Sequence, residues 1–185
     1  MSELSKITFV IGGARSGKSS FALNRASELP GKKVYIATAQ AFDEEMKERI
    51  TKHKEERNSD WDTIEESMNL AEVLRTASST HDVVLIDCLT LWLSNLLLAD
   101  KDLEKEMQFF ISSLITHHAS RVFVVSNEVG MGIVPDNELA RRFRDISGRL
   151  NQQMASVADE VYLVAAGIPV RIKKEDGYAG YYQKN

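Results

Sequence analysis

The sequence predicts an α/β fold, a mostly parallel sheet with helices on both faces, on three observations. Short apolar, β-branched runs recur along the 185 residues with helical segments between them. The first run opens into a glycine-rich turn and then a helix, and the third ends in a carboxylate. Strands are read at residues 7–11, 33–37, 83–87, 122–126 and 161–164, with a shorter one at 169–172. Helices are expected at 19–29, 43–57, 70–77, 89–99, 103–118 and 138–157. No repeat or composition break marks a second domain. Residues 1–173 are therefore expected to form one domain, and 174–185, rich in glycine and charge, a loosely ordered tail.

Ile7, Thr8, Phe9, Val10 and Ile11 make the first strand, β-branched and aromatic throughout. The chain continues as Gly12-Gly13-Ala14-Arg15-Ser16-Gly17-Lys18-Ser19, which fits the phosphate-binding pattern G-x-x-x-x-G-K-[ST] in the strand–loop–helix context that pattern requires. Glycines let backbone N–H groups turn inward around phosphate oxygens, and the helix N-terminus adds partial positive charge. Lys18 would reach the outer phosphates, and the Ser19 hydroxyl would complete a Mg²⁺ shell. A glycine-rich turn with a chance lysine is the plainer alternative; strand, loop and helix in that order argue against it. The loop makes this a P-loop NTPase-type fold and points to a bound nucleoside triphosphate.

Ligands of such sheets bind at the carboxyl ends of the strands, so the segments that follow each strand matter most. Thr38-Ala39-Gln40 follows the second strand. The third, Val83-Val84-Leu85-Ile86-Asp87, has the form of a Walker-B element. Asp87 would hold Mg²⁺ directly or through water, opposite Ser19; a helix cap is its simpler role. Asn127-Glu128-Val129-Gly130-Met131-Gly132 follows the fourth strand, where glycines permit close approach of a ligand or a neighbouring chain. Glu128 suits a base, a residue near the metal, or an internal hydrogen-bonding role. Arg141, Arg142, Arg144 and Arg149 lie early in the long helix, on either a solvated face or an anion-binding or subunit-contacting one.

The charged segment 43–57 reads first as a solvated helix, because Glu45–Arg49 and Glu48–Lys52 are favourable pairs four residues apart. One detail goes further: Arg49, His53 and Arg57 share a single helical stripe. Cationic neighbours disfavour the protonated imidazole and leave His53 a competent nucleophile near neutral pH. Two flanking guanidiniums would also grip phosphate oxygens bidentately. His81, His117 and His118 lack that setting and read as surface or helix-end residues.

Composition narrows the classes. The chain is 43% hydrophobic and 27% charged, ordinary for a globular protein, and its net charge of −4 argues against a general nucleic-acid binder. Cys88 is the only cysteine, so no intrachain disulfide forms and a reducing cytoplasm is the expected location. The polar Met1–Lys6 stretch is too short for a signal peptide. The longest apolar stretch, 88–99, is broken by Thr90, Ser94 and Asn95 and falls short of a membrane span.

Taken together, four stretches resemble the bifunctional adenosylcobinamide kinase / adenosylcobinamide-phosphate guanylyltransferases of cobalamin biosynthesis. They are the phosphate loop 12–19; Tyr35-Ile36-Ala37-Thr38-Ala39-Gln40; the spacing Arg49-Ile50…His53…Arg57…Trp61…Thr63…Glu65; and Asn127-Glu128-Val129-Gly130-Met131-Gly132-Ile133-Val134-Pro135 running into Phe143-Arg144-Asp145, Gly148-Arg149 and Asn151-Gln152. The resemblance runs from the first strand to about Lys173. It implies phosphorylation of adenosylcobinamide by ATP or GTP, then transfer of GMP from GTP through a guanylyl-histidine to adenosylcobinamide-phosphate. The histidine carries over to His53, flanked by Arg49 and Arg57. Nucleotide contacts carry over to the loop Gly12, Gly13, Ala14, Arg15, Ser16, Gly17, Lys18 and Ser19, to Thr38, Ala39 and Gln40, to Lys54, Glu55, Glu56 and Arg57, and to Glu65 and Asp87. The resemblance further implies a homo-oligomer, a trimer, with sites near subunit boundaries. No N-K-x-D-type guanine motif is present, so the preference for GTP rests on the resemblance alone. A kinase without guanylyl transfer, and a nucleotide-dependent switch or assembly ATPase, are the competing functions.

Overall fold

In a computed structural model, which describes residues 6–40, 60–116 and 120–174 and the backbone of 177–178, the strands and helices alternate as expected. Numbered among the described residues, they run β1 (Ile7–Gly12), α1 (Lys18–Ser27), β2 (Lys33–Ala37), β3 (Trp61–Glu65), α2 (Leu70–Ser78), β4 (Val83–Asp87), α3 (Leu89–Leu98) and α4 (Leu103–Thr116). Then come β5 (Arg121–Asn127), α5 (Glu138–Val157), β6 (Glu160–Ala165), β7 (Ile168–Lys174) and β8 (Gly177–Tyr178). They form one sheet in the order β3-β2-β4-β5-β1-β6-β7-β8. The strands from β3 to β6 in that order are parallel; β7 and β8 add antiparallel.

Side chains alternate between the two faces, and each face closes on its own helices. Phe9, Ile11, Val34, Ile36, Val84, Ile86, Val122 and Val124 point to the side covered by α2–α5, where Leu74, Trp92, Leu93, Met107, Phe110 and Leu150 complete the larger core. Val10, Tyr35, Leu85, Phe123 and Val125 point to the side of α1 and pack on Ala22, Leu23 and Ala26. Both faces being buried, the central strands are continuous apolar runs.

The sequence missed β3. In Trp-Asp-Thr-Ile-Glu only Trp61 is buried, and the remaining positions are exposed or half-buried because β3 is an edge strand with one neighbour, β2. An apolar-run criterion does not see such a strand. The hairpin of β6 and β7 is also longer at both ends than its apolar core suggested, and β7 continues to Lys174 to pair with Gly177–Tyr178. The expected helix at 43–57, with Arg49, His53, Lys54, Glu55, Glu56 and Arg57, lies outside the described residues, as do His117 and His118. His81 does sit at a helix end, its ring between Thr80, the Ala77 carbonyl and Asp62. Among the described residues, no helix is long and apolar enough to cross a membrane.

Candidate active site

Strand order decides what meets at the carboxyl rim. Reading along the sheet, Glu65 ends β3, Thr38-Ala39-Gln40 follows β2, Asp87 ends β4, Asn127 ends β5 and the phosphate loop leaves β1. Apart from the segment around His53, every sequence-predicted site residue therefore lies on this one edge.

The loop from Gly13 to Gly17 is shaped by what lies against it. Gly17 has a φ of 91° and precedes the first turn of α1. A Cβ there would lie 3.3 Å from Gly167 Cα, in the β6–β7 turn, whose N–H donates to the Ser16 carbonyl at 2.9 Å. A Cβ on Gly12 would fall 2.4 Å from the Val164 carbonyl oxygen and 2.6 Å from Ser16 Oγ, so backbone and hydroxyl occupy the space a side chain would need. Arg15 is exposed and adopts a left-handed φ of 57°. Gly13 and Ala14 are exposed, and Ser19 is half-buried in the first turn of α1. Lys18 is 8% exposed, and its ammonium donates to the Gly13 carbonyl at 3.1 Å, which folds the side chain back over the loop. Ser16 Oγ is buried and makes no hydrogen bond.

The neighbouring rim of β2 and β4 is built differently. The Thr38 N–H donates to the Asp87 carbonyl at 3.1 Å. The Thr38 hydroxyl donates to the Cys88 carbonyl at 2.7 Å and accepts from the Cys88 N–H at 2.8 Å. Asn95, buried on α3, donates to the carbonyls of Thr38 (3.0 Å) and Ser67 (3.1 Å). Gln40 donates to Ser67 Oγ at 2.6 Å, and the Tyr35 hydroxyl donates to Asp87 Oδ2 at 2.9 Å. Burial pushes the Cys88 thiol up to about 12, with the adjacent Asp87 carboxylate adding to the rise. Sequence reasoning did not find Asn95, Tyr35 or Thr90 as parts of this rim. The signal was there: Thr90 and Asn95 interrupt the most apolar helix of the chain, and a buried polar side chain in such a place needs partners. Thr90 finds them at the end of β5, where its hydroxyl accepts from the Asn127 N–H at 2.7 Å.

After β5, the Glu128 N–H donates to the Gly12 carbonyl at 2.9 Å, and its carboxylate accepts from the Gly130 N–H, closing a local turn. Asn137 caps α5 through the Ala140 N–H, and Arg141 donates to the carbonyls of Pro135 and Asp136. Arg149 pairs with Glu104 at 2.7 Å and Arg144 with Asp145 at 2.8 Å.

The donor set suits a hard divalent cation. The Ser19 hydroxyl and the Asp87 carboxylate are oxygen donors, and Mg²⁺ commonly takes one or two carboxylates together with substrate phosphates. No group of three or more His, Cys, Asp or Glu side chains placed to hold a metal ion occurs among the described residues.

A type III secretion system ATPase superposes with a TM-score of 0.54 at 9% identity over 86% of this chain, which spans about half (51%) of that chain's length; the likeness establishes the fold. Relatives in sequence are much nearer. The bifunctional adenosylcobalamin biosynthesis proteins CobU of Escherichia coli (strain K12) and Salmonella typhimurium are 43% and 41% identical, each over 89% of this chain and 98% of its own length. CobP of Pseudomonas aeruginosa, of the same description, is 44% identical over 90% of this chain and 96% of its own. The family model described as cobinamide kinase / cobinamide phosphate guanyltransferase matches residues 8–172, from β1 into β7. With the family model matching nearly the whole chain and these relatives above 40% identity, the chain belongs to the cobinamide kinase / cobinamide phosphate guanyltransferase family.

Proposed function

We propose that this chain phosphorylates adenosylcobinamide with ATP or GTP, then transfers GMP from GTP to adenosylcobinamide-phosphate, yielding adenosylcobinamide-GDP and pyrophosphate. The observation that carries this is the strand, loop and helix of residues 7–27, with Lys18 folded over the loop, in a chain that matches the family from residue 8 to 172. In the kinase step the substrate hydroxyl attacks the γ-phosphorus, the nucleoside diphosphate leaves, and the hydroxyl proton is released; no protein nucleophile is required. Lys18 would exchange the Gly13 carbonyl for phosphate oxygens and so oppose the developing charge, with backbone N–H groups of the loop and of the first turn of α1 beside it. Glu65, Ala39 and Gln40 would flank the nucleotide from β3 and β2, with Thr38, fully buried and bonded to Cys88, supporting the rim behind them. Mg²⁺ held by Ser19 and Asp87 would neutralise triphosphate charge when bound.

For guanylyl transfer, His53 is the nucleophile of this reading. Its imidazole forms a P–N bond to the α-phosphorus of GTP as the bond to pyrophosphate breaks. The phosphate of adenosylcobinamide-phosphate then displaces the imidazole. Arg49 and Arg57 hold phosphate oxygens, with Lys54, Glu55 and Glu56 beside them. A homo-oligomer, a trimer by resemblance, belongs to the same reading. It is supported by the apolar loop at the rim, where Ile133 is 97% and Met131 79% exposed beside Val134 and Leu139. A cytoplasmic location is supported by the lone cysteine, Cys88, kept as a buried free thiol.

Incubation with GTP labelled in its guanosine tests the histidine. Wild-type protein is expected to retain acid-labile, base-stable label and His53→Ala none, while kinase activity survives at least in part. Equal label on both proteins removes His53 from this role, and no label on the wild type leaves a kinase alone.

A further inference from the structure

Tyr35 lies in the apolar layer between the sheet and α1, 5% exposed, among Val10, Leu23, Ala26 and Leu85. A phenylalanine would fill that layer as well, so the hydroxyl calls for a separate reason. It reaches across paired strands, from β2 to the last residue of β4, and donates to Asp87 Oδ2 at 2.9 Å. The ring that carries it is held edge-on by Trp61 at 6.5 Å, and Trp61 is itself anchored by its indole N–H on Ser27 Oγ at 3.2 Å. The backbone beyond the carboxylate is clamped independently, by the Thr38 hydroxyl on both polar groups of Cys88. Asp87 is thus fixed from two sides.

Resting on the reading of Asp87 as the Mg²⁺ carboxylate, we propose that Tyr35 is a positioning residue whose hydroxyl occupies one Asp87 oxygen and leaves the other for the cation of the Mg–nucleotide. A strand-end carboxylate without such a partner turns freely about its side-chain torsions and must be ordered each time the cation binds. A ligand whose outer oxygen is already engaged does not.

The test is Tyr35→Phe, which removes one oxygen and keeps the ring, assayed by titrating a fluorescent GTP analogue in graded Mg²⁺ and in EDTA. The Mg²⁺ concentration at half-effect on nucleotide binding is expected to rise about tenfold, the lower end of what outer partners of metal ligands contribute. Affinity in EDTA should stay that of the wild type. An unshifted Mg²⁺ dependence with a lowered melting temperature overturns the proposal and makes the hydroxyl structural. An equal loss of affinity with and without Mg²⁺ overturns it too, since that reports damage to the loop. Asp87→Asn in parallel separates the premises. If Asp87→Asn shifts the Mg²⁺ dependence and Tyr35→Phe does not, only the role of Tyr35 falls. If neither shifts it, the metal role of Asp87 falls as well.

Discussion

The phosphate loop and the rim of β2 and β4 lie on the same edge of one sheet, yet they treat their polar groups in opposite ways. In the loop, Ser16 Oγ is buried without a partner, Arg15 is exposed, and Lys18 rests on the Gly13 carbonyl. On the rim, Thr38, Gln40, Tyr35 and Asn95 each have a named protein partner between 2.6 and 3.1 Å. Buried polar groups lacking partners cost stability, so a loop left open makes sense where a ligand completes it. A rim closed on itself holds the Asp87 carboxylate at a fixed place, as the proposed metal role would need. The contrast teaches that a nucleotide site is assembled from an unfinished half and a finished one.

The largest effect should come from the unfinished half. Lys18→Ala is expected to lower both activities by about a hundredfold or more, because it removes the cation that would stabilise charge developing on the transferring phosphates. Steady-state assays of each reaction, with circular dichroism to verify the fold, check this; guanylyl transfer at wild-type rate would reveal a second triphosphate site. Thr38→Val probes the finished half. It strands the N–H of Cys88, whose carbonyl keeps the Trp92 N–H, and a urea melt should show a loss of about 1–3 kcal/mol. Nucleotide affinity should fall far less than in Lys18→Ala; the reverse pattern would mean that the hydroxyl faces the ligand. The smallest effect concerns Cys88. With its thiol held up at about 12 by burial and by Asp87, folding favours the protonated form. That contribution is complete below the ordinary value of 9.0 and is lost as pH rises toward about 12. A thiol reagent at pH 8 should therefore leave native Cys88 unmodified and label it only in denaturant. Rapid labelling of the native protein would show that the rim opens.

The sequence revealed the unfinished half more readily than the finished one, and for a physical reason. A phosphate loop is a local object, with strand, turn glycines and helix start contiguous from Ile7 to Ser27, so its function can be read from its spacing. The rim is assembled from residues far apart in the chain: Tyr35 with Asp87, Thr38 with Cys88 and Asn95. The sequence marked Thr38 and Asp87 by their place after apolar strands, but nothing local shows that the Thr38 hydroxyl is committed to Cys88. The central strands were legible because both faces are buried; β3 was not, because an edge strand needs few apolar residues. Helix α5 matched its expected span of 138–157, with Asn137 supplying the cap that its residue type suits.

The turn between β6 and β7 sets a limit on how far the protein can be shortened or rewired from its C-terminal side. Ordinarily an exposed hairpin tip accepts an insertion, and an antiparallel strand appended to a parallel sheet is a convenient place to end an engineered fragment. Here Gly167 lies against Gly17 and its N–H holds the Ser16 carbonyl, so the tip serves as an outer wall of the glycine-rich loop. A fragment ending after Ala165 would retain all six parallel strands and still lose that wall. A tag or linker is better attached beyond Tyr178 than spliced into the tip, where one added residue would push on the glycine-rich loop after β1.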